Sequence, residues 1–242
     1  MTGTPIRIDS AMVMAAGLGK RMRPLTATRP KPLVRVAGKA LIDHSLDRIA
    51  EAGIGHVVVN VHYLADAVEA HLAAQDRPFT IAISDERDAL LETGGGLVKA
   101  LPLLSGDPIL VANSDNIWTD GPVTAIEQLA RKWDEARMDA LLLVIRHASA
   151  TGHVGQGDFH MDPRGLLSRR KPGRVAPFVY TGVQLISRRL LADAPAGAFS
   201  TNILWDRAIA AGRLYGVAHR GQWFEVGAPA NIAPTEAGLN AL

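Results

Sequence analysis

Met14-Ala-Ala-Gly-Leu-Gly-Lys-Arg-Met-Arg-Pro-Leu-Thr-Ala-Thr-Arg-Pro-Lys-Pro-Leu-Val-Arg35 overlaps the end of an apolar run, Ala11 to Ala16, that reads as a buried strand. The strand gives way to a loop holding two glycines and a Pro-Lys-Pro. Gly17 and Gly19 lack a Cβ and tolerate positive φ, so the backbone there can turn sharply and approach a ligand closely. Lys20, Arg21, Arg23, Arg29, Lys31, Arg35 and Lys39 add positive charge, and no acid stands between Asp9 and Asp43 to neutralise it. A strand that opens into a glycine-bearing cationic loop is built to hold a polyanion, first of all phosphates.

Outward from this loop, β-branched runs alternate with amphipathic stretches. Leu41 to Ala52 reads as a helix ending at Gly53, Val57 to Val61 as a strand, Leu64 to Ala74 as a helix and Phe79 to Ser84 as a strand. Gly95 to Leu101 then reads as a helix, Ile109 to Ala112 as a strand, Val123 to Ala136 as a helix and Ala140 to His147 as a strand. This βαβ alternation predicts an α/β fold with a mainly parallel sheet between helices, its ligands beyond the carboxyl ends of the strands. After His147, glycines and prolines punctuate short segments, which suits a small antiparallel insertion. Tyr180 to Ser187 reads as a strand, Thr201 to Ala211 as a helix, Leu214 to His219 and Trp223 to Val226 as strands, and Pro229 to Leu239 as a last helix. One domain over 1–242 is expected, with a nucleotide-binding half over about 1–147 and a sugar-binding insertion over about 148–227. A C-terminal helix over 228–242 completes it.

Composition narrows the function. The chain has 242 residues, 48% of them hydrophobic, enough for a substantial core. Its net charge of +2 is small and the basic excess is local, which favours small phosphorylated ligands over nucleic acid. There is no cysteine, so disulfides, thiolate metal sites and cysteine nucleophiles are excluded. No signal-peptide core or membrane-spanning run is read, and a cytoplasmic protein without a membrane partner is expected. A Rossmann fingerprint would need a third glycine where Met22 stands, and a Walker loop would need glycine at Met14 and a hydroxyl at Arg21. An NAD-binding oxidoreductase is disfavoured accordingly.

The loop resembles the signature of the sugar-1-phosphate nucleotidylyltransferases, the nucleotide-sugar pyrophosphorylases, usually written L-A-A-G-x-G-x-R-x-x-P-L-T followed by P-K-P-L-V. Met14 replaces the first Leu, and the remaining positions match. The resemblance implies a Rossmann-like three-layer α/β/α nucleotidyltransferase fold of the GT-A-like kind. It implies transfer of a nucleotidyl group to a sugar 1-phosphate, with Arg21 and Lys31 as the catalytic cations and Ala15, Ala16, Gly17, Gly19 and Arg21 around the nucleotide. It also implies Mg2+. Asp115, in Asn113-Ser114-Asp115 after a buried run, matches the family's first metal carboxylate, and Glu225, in Trp223-Phe224-Glu225-Val226-Gly227, stands where Asp is usual.

Leu91-Glu92-Thr93-Gly94-Gly95-Gly96 places three glycines at a helix start, where each costs backbone entropy. A base or sugar ring lying against exposed amides would offset that, so Gly94 and Gly95 are expected at the nucleotide and Glu92 and Thr93 at the sugar. This form resembles the branch containing muramate-1-phosphate uridylyltransferases and some mannose-1-phosphate guanylyltransferase-like proteins. Asp158, in Gly155-Gln-Gly-Asp158-Phe, and Gly182, in Tyr180-Thr-Gly182-Val, point to the same branch, while Asn202 is a sugar contact by residue type. UTP with N-acetylmuramic acid 1-phosphate is therefore the expected pair, as a monomer or small homo-oligomer. The alternatives are mannose 1-phosphate with GTP, glucose 1-phosphate with UTP or dTTP, a phosphocholine cytidylyltransferase, or an inactive regulatory paralogue. Lys171, in Arg170-Lys171-Pro172, is similar to the family's E-K-P lysine without its Glu. The acid-free stretch Pro163 to Tyr180 offers Arg169 and Arg170 to a lactyl carboxylate.

Overall fold

The computed structural model describes residues 4–241. The elements run β1 (Ala11–Met14), β2 (Arg35–Val36), β3 (Lys39–Ala40), α1 (Leu41–Glu51), β4 (His56–Val61), α2 (Ala65–Ala73), β5 (Thr80–Asp85), α3 (Glu92–Ala100), β6 (Ile109–Asn113), β7 (Asn116–Trp118) and α4 (Ala125–Lys132). They continue with β8 (Ala140–Arg146), β9 (Ala150–Thr151), β10 (Phe159–Met161), β11 (Leu167–Arg169), β12 (Phe178–Ile186), α5 (Arg188–Leu191), α6 (Asn202–Ala210), β13 (Leu214–Ala218), β14 (Trp223–Glu225) and α7 (Ile232–Asn240).

β5, β4, β1 and β6 lie side by side, all parallel, and β13 is parallel to β8. β12 runs antiparallel between β6 and β8, and the β10–β11 hairpin attaches at its start. The sheet is thus mainly parallel, as expected, but one strand from the second half of the chain completes its middle. Trp223–Glu225 does not join this sheet. It pairs with β7 on one side and β9 on the other in a separate three-stranded ribbon.

Alternation along β1 builds the layers. Ala11 and Val13 face one core with Ile42, Leu46, Ile49, Val68 and Leu129, while Met12 faces the other with Leu97, Ala100, Leu204 and Ala208. Helices α1, α2 and α4 therefore cover one face and α3 and α6 the other, each burying an apolar stripe whose removal from water is the main stabilising term. A third cluster joins Met22, Val34, Val36 and Leu41 to Ile117, Phe224 and Val226. It ties the cationic loop to the ribbon that carries Glu225 and that begins one residue after Asp115.

Several expected boundaries move. The first strand ends at Met14, freeing Ala15 and Ala16 for the loop. The helix expected over Val123 to Ala136 is only Ala125–Lys132, because Thr124 caps it by accepting from the Glu127 amide and Trp133 leaves helical geometry. The last helix starts at Ile232, after a short 3-10 turn over Pro229–Asn231. Among the described residues, no helix is long and apolar enough to cross a membrane.

Candidate active site

The carboxyl ends of β1 and β6 and the start of β12 open onto a cleft with two compartments, both bordered by Met14, Thr93, Asn113, Asp115 and Ser200. Ala15, Ala16, Gly17, Lys31, Asn60, Leu90 and Glu92 are among the other residues of the first compartment. Arg21, Asn116, His153, Asp158, Arg169, Tyr180, Gly182, Thr201, Asn202, Trp205 and Glu225 line the second. Of the expected residues, Gly19, Gly94 and Gly95 line neither.

Gly19 acts one step back. Its φ is +60°, its carbonyl accepts from Thr26 Oγ1 at 2.8 Å, and a Cβ there would sit 3.0 Å from Lys31 Cβ. A side chain would crowd the lysine, so the signature glycine leaves room for Lys31 to enter. Lys31 itself is nearly buried, fixed in a 3-10 turn between Pro30 and Pro32, and its Nζ donates to Asp115 Oδ2 at 2.6 Å.

Asp115 and Glu225 come from adjacent chain segments. The Asp115 carbonyl accepts from Val226 N at 3.1 Å, and Asn116 is the register partner of Glu225 across β7–β14. Glu225 Oε1 stands 3.7 Å from Arg21 Nη1, a loose pairing of an exposed guanidinium, and Gly227 keeps the space beside both open. Two hard carboxylate donors on one wall suit Mg2+, which needs one or two and otherwise keeps its waters. Among the described residues no group of three or more acidic, histidine or cysteine side chains gathers into a metal cage. That donor set fits a Mg2+ shared with substrate phosphates.

A buried polar chain fixes the first compartment. Ala15 N donates to Asn60 Oδ1 at 2.7 Å, Asn60 Nδ2 donates to Glu86 Oε1 at 2.7 Å, and Leu91 N donates to Glu86 Oε2 at 3.1 Å. The signature loop is thereby tied to the start of α3. Sequence reasoning missed both residues, although a polar Asn60 ending the run Val57-Val-Val-Asn60 was a usable signal.

The glycine triplet has another task than the one expected. Gly94 N and Gly95 N both donate to the Phe199 carbonyl, at 2.8 and 3.1 Å, so neither amide is free for a ring. A Cβ on Gly94 would collide with the Phe199 ring, one on Gly95 with the Gly197 carbonyl, and one on Gly96 would lie 2.6 Å from Glu86 Oε1. The glycines let the 197–199 segment and Glu86 pack directly against the helix. Gly95→Ala is expected to lower stability by roughly 1–3 kcal/mol through overpacking, despite a helix-propensity gain of about 1 kcal/mol. Gly55→Ala, which meets nothing within 4 Å, should be near neutral. Equal denaturation midpoints for parent and Gly95→Ala would refute this account.

In the second compartment several expected residues support the walls as well as line them. Asp158 Oδ2 accepts from Tyr180 N at 2.9 Å, and Thr93 Oγ1 accepts from Thr201 N at 2.9 Å. Gly182 has φ +86° within the irregularity of β12, and a Cβ there would collide with Asn116 Nδ2. Asn202 begins α6 and donates to Ser200 Oγ, while Glu92, expected at the sugar, borders the first compartment instead. Tyr180 packs edge-on to Trp205 at 4.8 Å, and burial, with the charge of Asp115 adding, pushes its phenol well above the ordinary value. It therefore stays neutral.

Arg169 lines this compartment, its guanidinium 5.0 Å from the Phe159 centroid and 5.5 Å from that of Trp205, with Nε donating to Asp206 at 2.8 Å. Arg170 does not line the cleft. It turns away to the Gly157 and Arg174 carbonyls and Gln156, and Lys171 also lies outside. His153, absent from the sequence reading, meets Glu225.

A family model described as nucleotidyl transferase matches residues 10–155. The chain is 48% identical over 232 residues to an N-acetylmuramate alpha-1-phosphate uridylyltransferase of Caulobacter vibrioides, covering 95% of this chain and 96% of the relative. It is 35% identical to the enzyme of the same name from Neisseria meningitidis serogroup B, covering 94% and 96%. A crystal structure of UDP-glucose pyrophosphorylase complexed with UDP-glucose superposes with a TM-score of 0.80 at 12% identity, covering 97% of this chain and 99% of that one. At that identity the likeness speaks for the fold.

Proposed function

The chain belongs to the nucleotidyl transferase family and transfers a nucleotidyl group to a sugar 1-phosphate; from that premise we propose that its substrates are UTP and N-acetylmuramic acid 1-phosphate, in cell-wall recycling. The observation that supports this reading is the 48% identity over 232 residues, 95% of this chain and 96% of the relative. A phosphate oxygen of the sugar 1-phosphate attacks the α-phosphorus of UTP in line. The bond to the β-phosphate breaks, pyrophosphate leaves, and no proton need move.

The work left to the protein is positioning and neutralisation of charge. Arg21, on the loop rim, presents a fork to the leaving phosphates, and Lys31 supplies a fixed point charge beside Asp115. Asp115 and Glu225 would hold Mg2+. Held there, the ion would neutralise charge on phosphates that otherwise repel one another. Ala15, Ala16, Gly17 and Leu90 form the wall offered to the uridine, and the Arg169 compartment the wall offered to the sugar.

The lactyl carboxylate distinguishes N-acetylmuramic acid from N-acetylglucosamine, and Arg169 is the cation positioned to read it. A charged hydrogen bond of about 1.5–3 kcal/mol predicts a kcat/KM preference for N-acetylmuramic acid 1-phosphate of roughly 10- to 150-fold. Arg169→Gln should narrow that ratio while barely changing turnover of N-acetylglucosamine 1-phosphate. A pyrophosphate-release assay pairing UTP and GTP with both sugars and mannose 1-phosphate decides the matter. Preference for mannose 1-phosphate with GTP would sink the muramate reading and leave the phosphate and metal assignments standing.

A further inference from the structure

Glu225 has one more side-chain torsion than Asp115, and its Oε1 has only a 3.7 Å approach from an exposed Arg21. That arginine is needed at the phosphates. The second carboxylate oxygen, Oε2, is held differently: His153 Nδ1 donates to it at 3.0 Å, and both side chains are largely buried. A carboxylate only accepts, so Nδ1 carries the proton.

The loop around His153 is shaped for this contact. Gly152 has φ +82°, and a Cβ there would lie 2.5 Å from the Glu225 carbonyl oxygen. A Cβ on Gly155 would collide with the imidazole at Nε2 and lie 2.9 Å from Cε1. Both glycines therefore permit the loop to close on the histidine and on Glu225. Its N-terminal end is fixed to Glu225's own strand, because Ala150 and Thr151 pair with Trp223 and Phe224, and Asn231 Nδ2, from the turn that follows that strand, donates to the Gly152 carbonyl at 3.1 Å. Nε2 meanwhile is enclosed with no hydrogen-bond partner among the described residues. Burying an unpaired nitrogen is unfavourable, so the ring is kept in place for its other side.

We propose that His153 is a positioning residue, which orients the Glu225 carboxylate for the metal and keeps it oriented when Arg21 turns to the phosphates. The proposal rests on the reading of Asp115 and Glu225 as metal ligands. Partners that orient a ligand typically change metal affinity or activity by about 10- to 100-fold.

The test is Mn2+ binding to the protein–UTP complex, followed by electron paramagnetic resonance of free Mn2+, beside the metal dependence of pyrophosphate release. His153→Ala should raise the Mn2+ dissociation constant about tenfold and shift half-saturation in assay by the same factor, with kcat at saturating metal within about threefold. His153→Asn, which keeps an N–H donor near the Nδ1 position, should recover most of the affinity, as no purely structural role requires. If His153→Ala is unstable in a thermal melt, His153→Leu fills the space without an N–H and serves instead. His153→Ala on top of Glu225→Gln should add little, since the two act through one contact. Parent-like Mn2+ affinity in His153→Ala, with Glu225→Gln impaired, overturns the proposal alone. Parent-like affinity in Glu225→Gln itself overturns the metal reading and the proposal with it.

Discussion

Asp115→Asn is expected to lower turnover by about three orders of magnitude at saturating Mg2+, about 4 kcal/mol of transition-state stabilisation. The exchange keeps the side chain's shape and removes its charge. Two consequences follow, because Asp115 has two charged partners in this reading. It would ligate the metal, and it already receives Lys31 Nζ at 2.6 Å. With a neutral amide there, Lys31 loses its counter-ion and the metal loses a hard anionic donor. The fold should survive, since the structural bond from this position is made by the Asp115 carbonyl to Val226 N and asparagine retains it. Pyrophosphate release and a thermal melt on the same sample separate the two effects. Turnover within threefold of the parent, on a folded protein, would remove Asp115 from the metal and from the chemistry.

That prediction was legible in the sequence because the signature loop makes demands on backbone and charge that few other residues meet. Gly19 must take positive φ beside Lys31, the two prolines fix Lys31, and the strands behind the loop are short, mainly apolar runs. The pairing of Lys31 with Asp115 spans 84 positions, and no periodicity encodes it. The same holds for β12. Its alternation announces a strand but not that it lies antiparallel between β6 and β8, since pairing direction depends on how a long connection returns. β7 and β9 have three and two residues and make no sequence pattern at all, yet they carry the ribbon that places Glu225.

The glycine triplet shows a different limit. Its presence was visible, but its packing against Phe199 and Gly197, about a hundred positions away, was not. Arg169 and Arg170 were equivalent in sequence and diverge in space, because successive residues of an extended chain face opposite ways. His153 was one scattered histidine among eight. Gly152 and Gly155 around it were visible, but only the fold shows that the space they leave is filled by Glu225 and by the histidine itself.

Arg21→Lys is expected to reduce kcat/KM by about 10²- to 10³-fold, although it conserves charge. Arg21 sits on a 3-10 turn, Lys20–Met22, pinned from below by Met22, which is fully buried among Ile117, Phe224 and Val226. The backbone is therefore held firmly while the guanidinium remains largely exposed, 72% by side chain, and only loosely paired with Glu225 at 3.7 Å. A cation so placed contributes little to stability, since exposed pairs are worth about 0–1 kcal/mol. What it retains is a planar fork with donors unengaged, aimed along the wall that carries both carboxylates. Two parallel N–H groups can follow the leaving pyrophosphate as charge accumulates on it, whereas a lysine offers one compact ammonium on a flexible stem. The loss should fall on the transfer step, with the melting temperature unchanged and a comparable Arg7→Lys exchange, at an exposed arginine paired with Asp9, silent in both assays. If Arg21→Lys matches the parent in turnover and in UTP affinity, the loop grips phosphates through other residues, and the guanidinium fork of Arg21 has no part in the transfer.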